Sequence, residues 1–210
     1  MFNPLQFYEL GKQVFLRFTQ EFSNVYWKKL ISGVNSATVT DNAIAAPDGT
    51  ITADRLYNST ALVRNCIIYE DQFRIMTSIP YTLSVYAKAS GLGILQIFGR
   101  DTVFGGMNTF SYANFDLVNG IVTSVGVGMS ARIALDNNGW YRCLLSGNPI
   151  SRGTGILGFA VVNSPTAPRQ GNCDPSEGVY IWGAKIEKGT IATDYKNEFT
   201  GVIYTGASPL

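Results

Sequence analysis

The sequence predicts an all-β fold, an antiparallel sandwich, and three observations predict it. Charged residues make up only 15% of the chain, while Ser, Thr, Asn and Gly account for 69 of its 210 residues. That is the composition of short strands joined by polar turns, and it fits neither a helical bundle nor a disordered chain. Apolar and polar residues alternate in segment after segment, and turn signals separate the segments at short intervals. The length suits one domain of sandwich or barrel size.

Eleven segments read as strands: Thr38 to Thr40, Ile51 to Tyr57, Cys66 to Ile75, Tyr81 to Ala89, Ile94 to Phe98, Thr109 to Leu117, Ile121 to Val127, Ala131 to Leu135, Trp140 to Ser146, Ile156 to Val162 and Val179 to Glu187. Between them stand Pro47-Asp48-Gly49, Asn119-Gly120, Asn138-Gly139 and Glu177-Gly178, each a turn with a mechanism. Asn138-Gly139 is a hairpin signal leading into Trp140, Tyr141 and Arg142, with Trp140 and Arg142 on one face. In the fourth strand Tyr81, Leu83, Val85 and Ala87 form the apolar face, leaving Tyr86 and Lys88 outward beside Ser84. Strict alternation in the last strand assigns Tyr180, Trp182, Ala184 and Ile186 to the core.

Two segments break the pattern. Residues 1–20 are dense in aromatics, with Phe2, Phe7, Tyr8, Phe15 and Phe18, and Pro4 and Gly11 interrupt any long helix. So apolar a terminus needs cover, either from its own domain or from another subunit. The stretch Asn163 to Pro175 holds three prolines and no periodicity, which makes it a long loop before the last strand.

Charge and residue inventory exclude several functions. A net charge of +1 generates no bulk field to gather nucleic acid or anionic lipid, so neither is an expected partner. The absence of His removes the commonest general base, every Ser-His or Cys-His pair and all His-containing zinc sites. Cys66, Cys143 and Cys173 are odd in number and lack CxxC spacing, so three free thiols in a reducing compartment are expected. Residues 1–20 carry Glu9, Lys12 and Arg17 inside their apolar stretch, unlike a secretory leader, and no window of 18 apolar residues exists to span a membrane.

Five pieces recur in a familiar order. They are Glu21-Phe22-Ser23-Asn24 with Trp27; Ala46-Pro47-Asp48-Gly49-Thr50 with Thr52-Ala53-Asp54; Tyr81 to Ala89; Gly139-Trp140-Tyr141-Arg142; and Tyr180 to Glu187 with Gly189 to Tyr195. Together they resemble the carbohydrate-binding-module-like jelly rolls of bacteriophage virion proteins, such as tail fibres, head fibres and capsid decoration proteins. The resemblance covers about residues 20 to 195. It implies an antiparallel jelly-roll β-sandwich over 21–195, an N-terminal attachment arm over 1–20 and a C-terminal tail over 196–210.

The function so implied is that of a non-enzymatic virion structural protein, assembled in the bacterial host cytoplasm. It would be anchored by its arm to capsid or tail proteins, with other copies of the chain as further partners. The alternative is a module that adsorbs to host-surface glycans. Sugar rings stack on aromatic faces and take planar polar partners, so Tyr86, Lys88, Asn114 and Arg142 are the candidate glycan contacts if their strands adjoin on one sheet. The three tryptophans, Trp27, Trp140 and Trp182, are expected in the core or at its rim. A glycan-degrading enzyme is the third reading, disfavoured by the missing His, and no cofactor is expected. Asp48, Asp54, Asp174 and Glu187 could ligate a structural calcium, but no acidic loop has calcium spacing, so turn capping and solvated charge are their expected roles.

Overall fold

The computed structural model describes residues 16–29, 36–75, 79–101, 111–149 and 153–196. They form the strands β1 (Lys28–Lys29), β2 (Ala37–Ile44), β3 (Ala53–Asn58), β4 (Arg64–Ile75), β5 (Tyr81–Ser90), β6 (Ile94–Asp101), β7 (Tyr112–Asp116), β8 (Ile121–Val125), β9 (Ser130–Leu135), β10 (Tyr141–Gly147), β11 (Gly153–Val161), β12 (Asn172–Cys173) and β13 (Gly178–Lys188). One sheet has the order β1-β4-β11-β6-β7-β8, with β12 also beside β4; the other has the order β2-β3-β13-β5-β10-β9. Every pairing is antiparallel. At the centre lie β3-β13-β5-β10 facing β4-β11-β6-β7. Among these eight central strands the chain changes sheet at every step except β6 to β7, which is jelly-roll order.

The expected strands exist because alternation gives each an apolar face. Leu83, Val85 and Ala87 of β5 meet Leu95, Ile97, Phe115 and Phe159 of the facing sheet in the main core. The Asn138-Gly139 hairpin forms as read: φ is 57° at Asn138 and 76° at Gly139, a pairing of left-handed residues that few dipeptides accept. Asp136 anchors the same turn by accepting the Asn137 N–H.

The N-terminal part of the sandwich begins earlier than residue 21. Leu16 is fully buried in the main core, and Phe22, Trp27 and Phe159 pack ring on ring at centroid distances of 5.1–6.0 Å. The Trp27 indole donates to the Phe18 carbonyl at 2.9 Å. Phe18, expected in the arm, lies 41% exposed against Tyr26 of the sandwich. Residues 16–20 therefore belong to the domain, because a buried leucine and the Phe18 carbonyl are spent on its core. Phe2, Phe7, Tyr8 and Phe15 lie outside the described residues, as does most of the expected tail.

Asp54 ties this entry segment to the sheet. Its Oδ2 accepts the Phe22 N–H at 2.7 Å and its Oδ1 accepts the Asn42 N–H at 2.9 Å, across an irregularity in the β2–β3 register. Burial pushes its carboxyl up to about 6, although both hydrogen bonds act the other way.

The 163–175 loop folds back on the outer face of the β4-β11-β6-β7 sheet and covers Ile67, Phe98 and Ala160 with Val162 and Ala167. A cross-strand amide pair receives it. Asn114 Nδ2 donates to the carbonyls of Pro165 (3.0 Å) and Ala167 (2.9 Å), and Gln96 Nε2 donates to Asn114 Oδ1 (2.8 Å) and the Pro168 carbonyl (3.0 Å). A loop rich in proline leaves carbonyls without ladder partners, and these two amides supply the donors.

Candidate functional site

The outer face of β2-β3-β13-β5-β10-β9 carries the chemistry, and a bulge in β13 decides what it displays. Trp182 pairs with Tyr86 but Lys185 pairs with Ser84, so β13 holds one extra residue there. Gly183 takes φ 64°, and a Cβ on it would come 3.2 Å from the Tyr195 ring. Below the bulge Val179 and Ile181 face the main core; above it Ala184 and Ile186 do. Tyr180 and Trp182 consequently point away from the main core, which corrects the face expected of them, although Trp182 is still buried, in a satellite cluster on the outer side. Ala184 and Ile186 keep theirs.

One half of this face is covered. Trp182 packs with Tyr86 at 5.6 Å and with Tyr195 at 4.7 Å between centroids, and its indole donates to Thr52 Oγ1 at 3.0 Å. Trp140 joins the same cluster and donates to the Ala45 carbonyl at 3.2 Å. Arg142 lies over the Tyr86 ring, 5.5 Å from its centroid, and donates to the Thr193 carbonyl and to Ser84 Oγ. Lys185, 6% exposed, meets Glu187 at 3.1 Å and donates to Thr193 Oγ1 at 2.6 Å. Glu187 accepts the Thr193 N–H in return. Residues 190–195 thus form a strap clasped to the sheet, and burial between strap and sheet pushes the Tyr86 and Tyr195 hydroxyls up.

Among the described residues no strap crosses the other half, where Arg55, Tyr57, Lys88 and Tyr180 are each part-buried. Tyr180 pairs with Arg55 of β3 on one side and Lys88 of β5 on the other, so the three make a row across the sheet. In the next row Gly178 separates Tyr57 from Ser90. Arg55 lies 4.4 Å over the Tyr57 ring and donates to Ser90 Oγ (2.9 Å) and the Ser176 carbonyl (3.1 Å). Lys88 donates to the Asn138 carbonyl at 2.7 Å.

The four expected glycan contacts therefore separate. Tyr86 and Arg142 adjoin but sit under the strap, and Lys88 borders the unstrapped half. Asn114, 0% exposed, is in the opposite sheet beneath the 163–175 loop, so it cannot join them. Sequence reading missed Arg55, Tyr57 and Tyr180. The Arg55-x-Tyr57 spacing already put two of them on one face, and Gly183 inside the strand was the signal that alternation would not carry from Ile186 back to Tyr180.

No family model matches the chain, and no curated protein matches it. Among solved structures, the chain is similar to the enzymatically active domain of tailspike protein 4 from bacteriophage CBA120. The TM-score is 0.48 at 12% identity, over 83% of this chain and 21% of that one. It is also similar to the CBM22-1–GH10 modules of Clostridium thermocellum endo-1,4-β-D-xylanase 10B, complexed with xylohexaose. There the TM-score is 0.40 at 13% identity, over 82% of this chain and 30% of that one. The chain spans less than a third of either structure, and neither likeness assigns an activity or ligand to it.

The acidic residues have local partners. Asp48 accepts from the Thr50 N–H and hydroxyl, Asp174 from Asn163 Nδ2, and Glu187 pairs with Lys185. Among the described residues no three of His, Cys, Asp and Glu come together. What the site offers chemically is stacking, hydrogen bonding and positive charge.

Proposed function

We propose that this chain is a non-enzymatic component of a phage virion, a jelly roll carried on the particle and anchored through the residues ahead of Leu16. The observation that carries the reading is the meeting of the two ends of the described sandwich. Thr19 Oγ1 and the Tyr195 hydroxyl are 2.6 Å apart, and the Ala184 N–H released by the β13 bulge donates to the Thr19 carbonyl at 3.0 Å. Thr19 and Tyr195 lie near the two ends of the described sandwich, so an anchor joined at either end would hold the domain by this one region. The resemblance to phage jelly rolls and the aromatic density of Phe2, Phe7, Tyr8 and Phe15 support the same reading.

Deleting residues 1–15 tests it. The truncated chain should keep its melting midpoint and be missing from purified particles. Unfolding of the truncated chain, or its normal incorporation, would overturn the anchoring role. Deletion through residue 20 is the wrong cut, since it removes Leu16 and Thr19.

A second reading, adsorption to host-surface glycan, is favoured by one observation: Tyr57 and Tyr180 stand part-buried on the half of this face that, among the described residues, the strap does not cross. Aromatic rings on the face of a sheet suit the C–H faces of sugar rings.

A further inference from the structure

We propose that the unstrapped half of the six-stranded sheet is a site for a carboxylated sugar residue of a surface polysaccharide, stacked on Tyr180 and clamped between Arg55 and Lys88. The proposal rests on the glycan-adsorption reading and names the ligand class.

Tyr180 has a cation as cross-strand neighbour on both sides. Adjacent strands lie about 4.8 Å apart, so Arg55 and Lys88 stand roughly 10 Å from each other with the tyrosine midway. One sugar ring over Tyr180 puts a ring carboxylate within reach of either side chain. Arg offers a planar fork that meets a carboxylate with two hydrogen bonds, and Lys a mobile point charge.

Among the described residues neither cation is neutralised. Arg55 donates to a hydroxyl and a carbonyl, and Lys88 to a carbonyl. No carboxylate among the described residues forms an ion pair with either. The neighbouring acids serve the turns: Glu177 accepts the Leu92 N–H, and Asp136 the Asn137 N–H. Two cations on a chain of net charge +1, set around tyrosines, match a short anionic ring better than a polyanionic backbone, which would need a longer basic track.

The platform is preorganised. Tyr180 packs on the Trp140–Trp182 cluster, and Arg55 is held over Tyr57, so little side-chain freedom remains to be lost on binding.

Calorimetric titration of the full chain with polygalacturonate and α2,8-linked sialate oligosaccharides, beside neutral dextran and galactan oligosaccharides, tests the assignment. At least one acidic series should bind, weaken as salt rises, and lose about tenfold in affinity in Arg55→Gln and in Lys88→Gln. Lys88→Gln removes one exposed hydrogen bond only, so it reads the site even if Arg55→Gln is unstable. Binding of neutral oligosaccharides as tight as acidic ones, or acidic binding unchanged in both variants, overturns the acidic assignment and leaves glycan adsorption standing. Preference for a phosphorylated oligomannose overturns the carboxylate in the same way. No binding by any series at millimolar concentration overturns both.

Discussion

Tyr86 meets Trp182 edge to face across the β5–β13 pair, their centroids 5.6 Å apart, with Arg142 over the outer side of the tyrosine. The contact makes Tyr86 part of a satellite core outside the main one. Tyr86→Ala should therefore cost about 1–2 kcal/mol of stability, since the ring is half-buried and a fully buried aromatic costs roughly 3–5. Urea unfolding measures it. An unchanged midpoint would mean that the strap contributes no packing.

Gly183→Ala should destabilise by about 1–2 kcal/mol. The φ of 64° strains any L side chain, and the new methyl group would press on Tyr195 at 3.2 Å. The second component is separable: in a Tyr195→Ala background the substitution should cost less. Equal costs in both backgrounds would leave backbone strain as the whole effect.

Asp54 makes stability depend on pH in an unusual direction for a carboxylate. Burial raises its carboxyl from 3.8 to about 6, so the folded state holds a proton that the unfolded chain gives up. The stability this supplies is full below about pH 4 and is lost as pH rises through 6. Unfolding free energies of the wild type and Asp54→Asn, measured from pH 4 to pH 7, isolate the contribution. The wild-type advantage should shrink across that window; a constant difference would refute the shift.

The three thiols should be silent in the native protein and count three per chain after denaturation without reductant. Cys66, Cys143 and Cys173 are free and buried. The Cys66 thiol is pushed up by its hydrogen bond with Cys173 and by burial, and that of Cys143 by burial, which suppresses the reactive thiolate. A denatured count of one would reveal that Cys66 and Cys173 had been oxidised to a disulfide.

The strands were legible because local signals and burial agree in them. Tyr81 to Ala89 alternates without interruption, and Asn138-Gly139 forms the turn its residue types favour. The face of Tyr180 and Trp182 was hidden because alternation is a rule of unbroken ladders, and one residue inserted at Gly183 exchanges the faces of everything on one side of it. Asn114 failed for a different reason. Its strand and its outward direction were both readable, but which sheet holds β7, and what covers it, depends on contacts with residues fifty positions away. Leu16 shows the same limit at the N-terminus, where aromatic density could not say which apolar residue would find the core.

The hydroxyl contact between Thr19 and Tyr195 also bears on how this fold tolerates rearrangement of its chain. A sandwich in which residues near both ends of its described span touch is nearly a closed ring. A short linker there, with new termini opened at an exposed turn such as Asp48-Gly49, would permute the sequence circularly while preserving every strand pairing. For the same reason the whole sandwich could be spliced into a surface loop of a larger protein, whose own backbone would scarcely need to part to admit it.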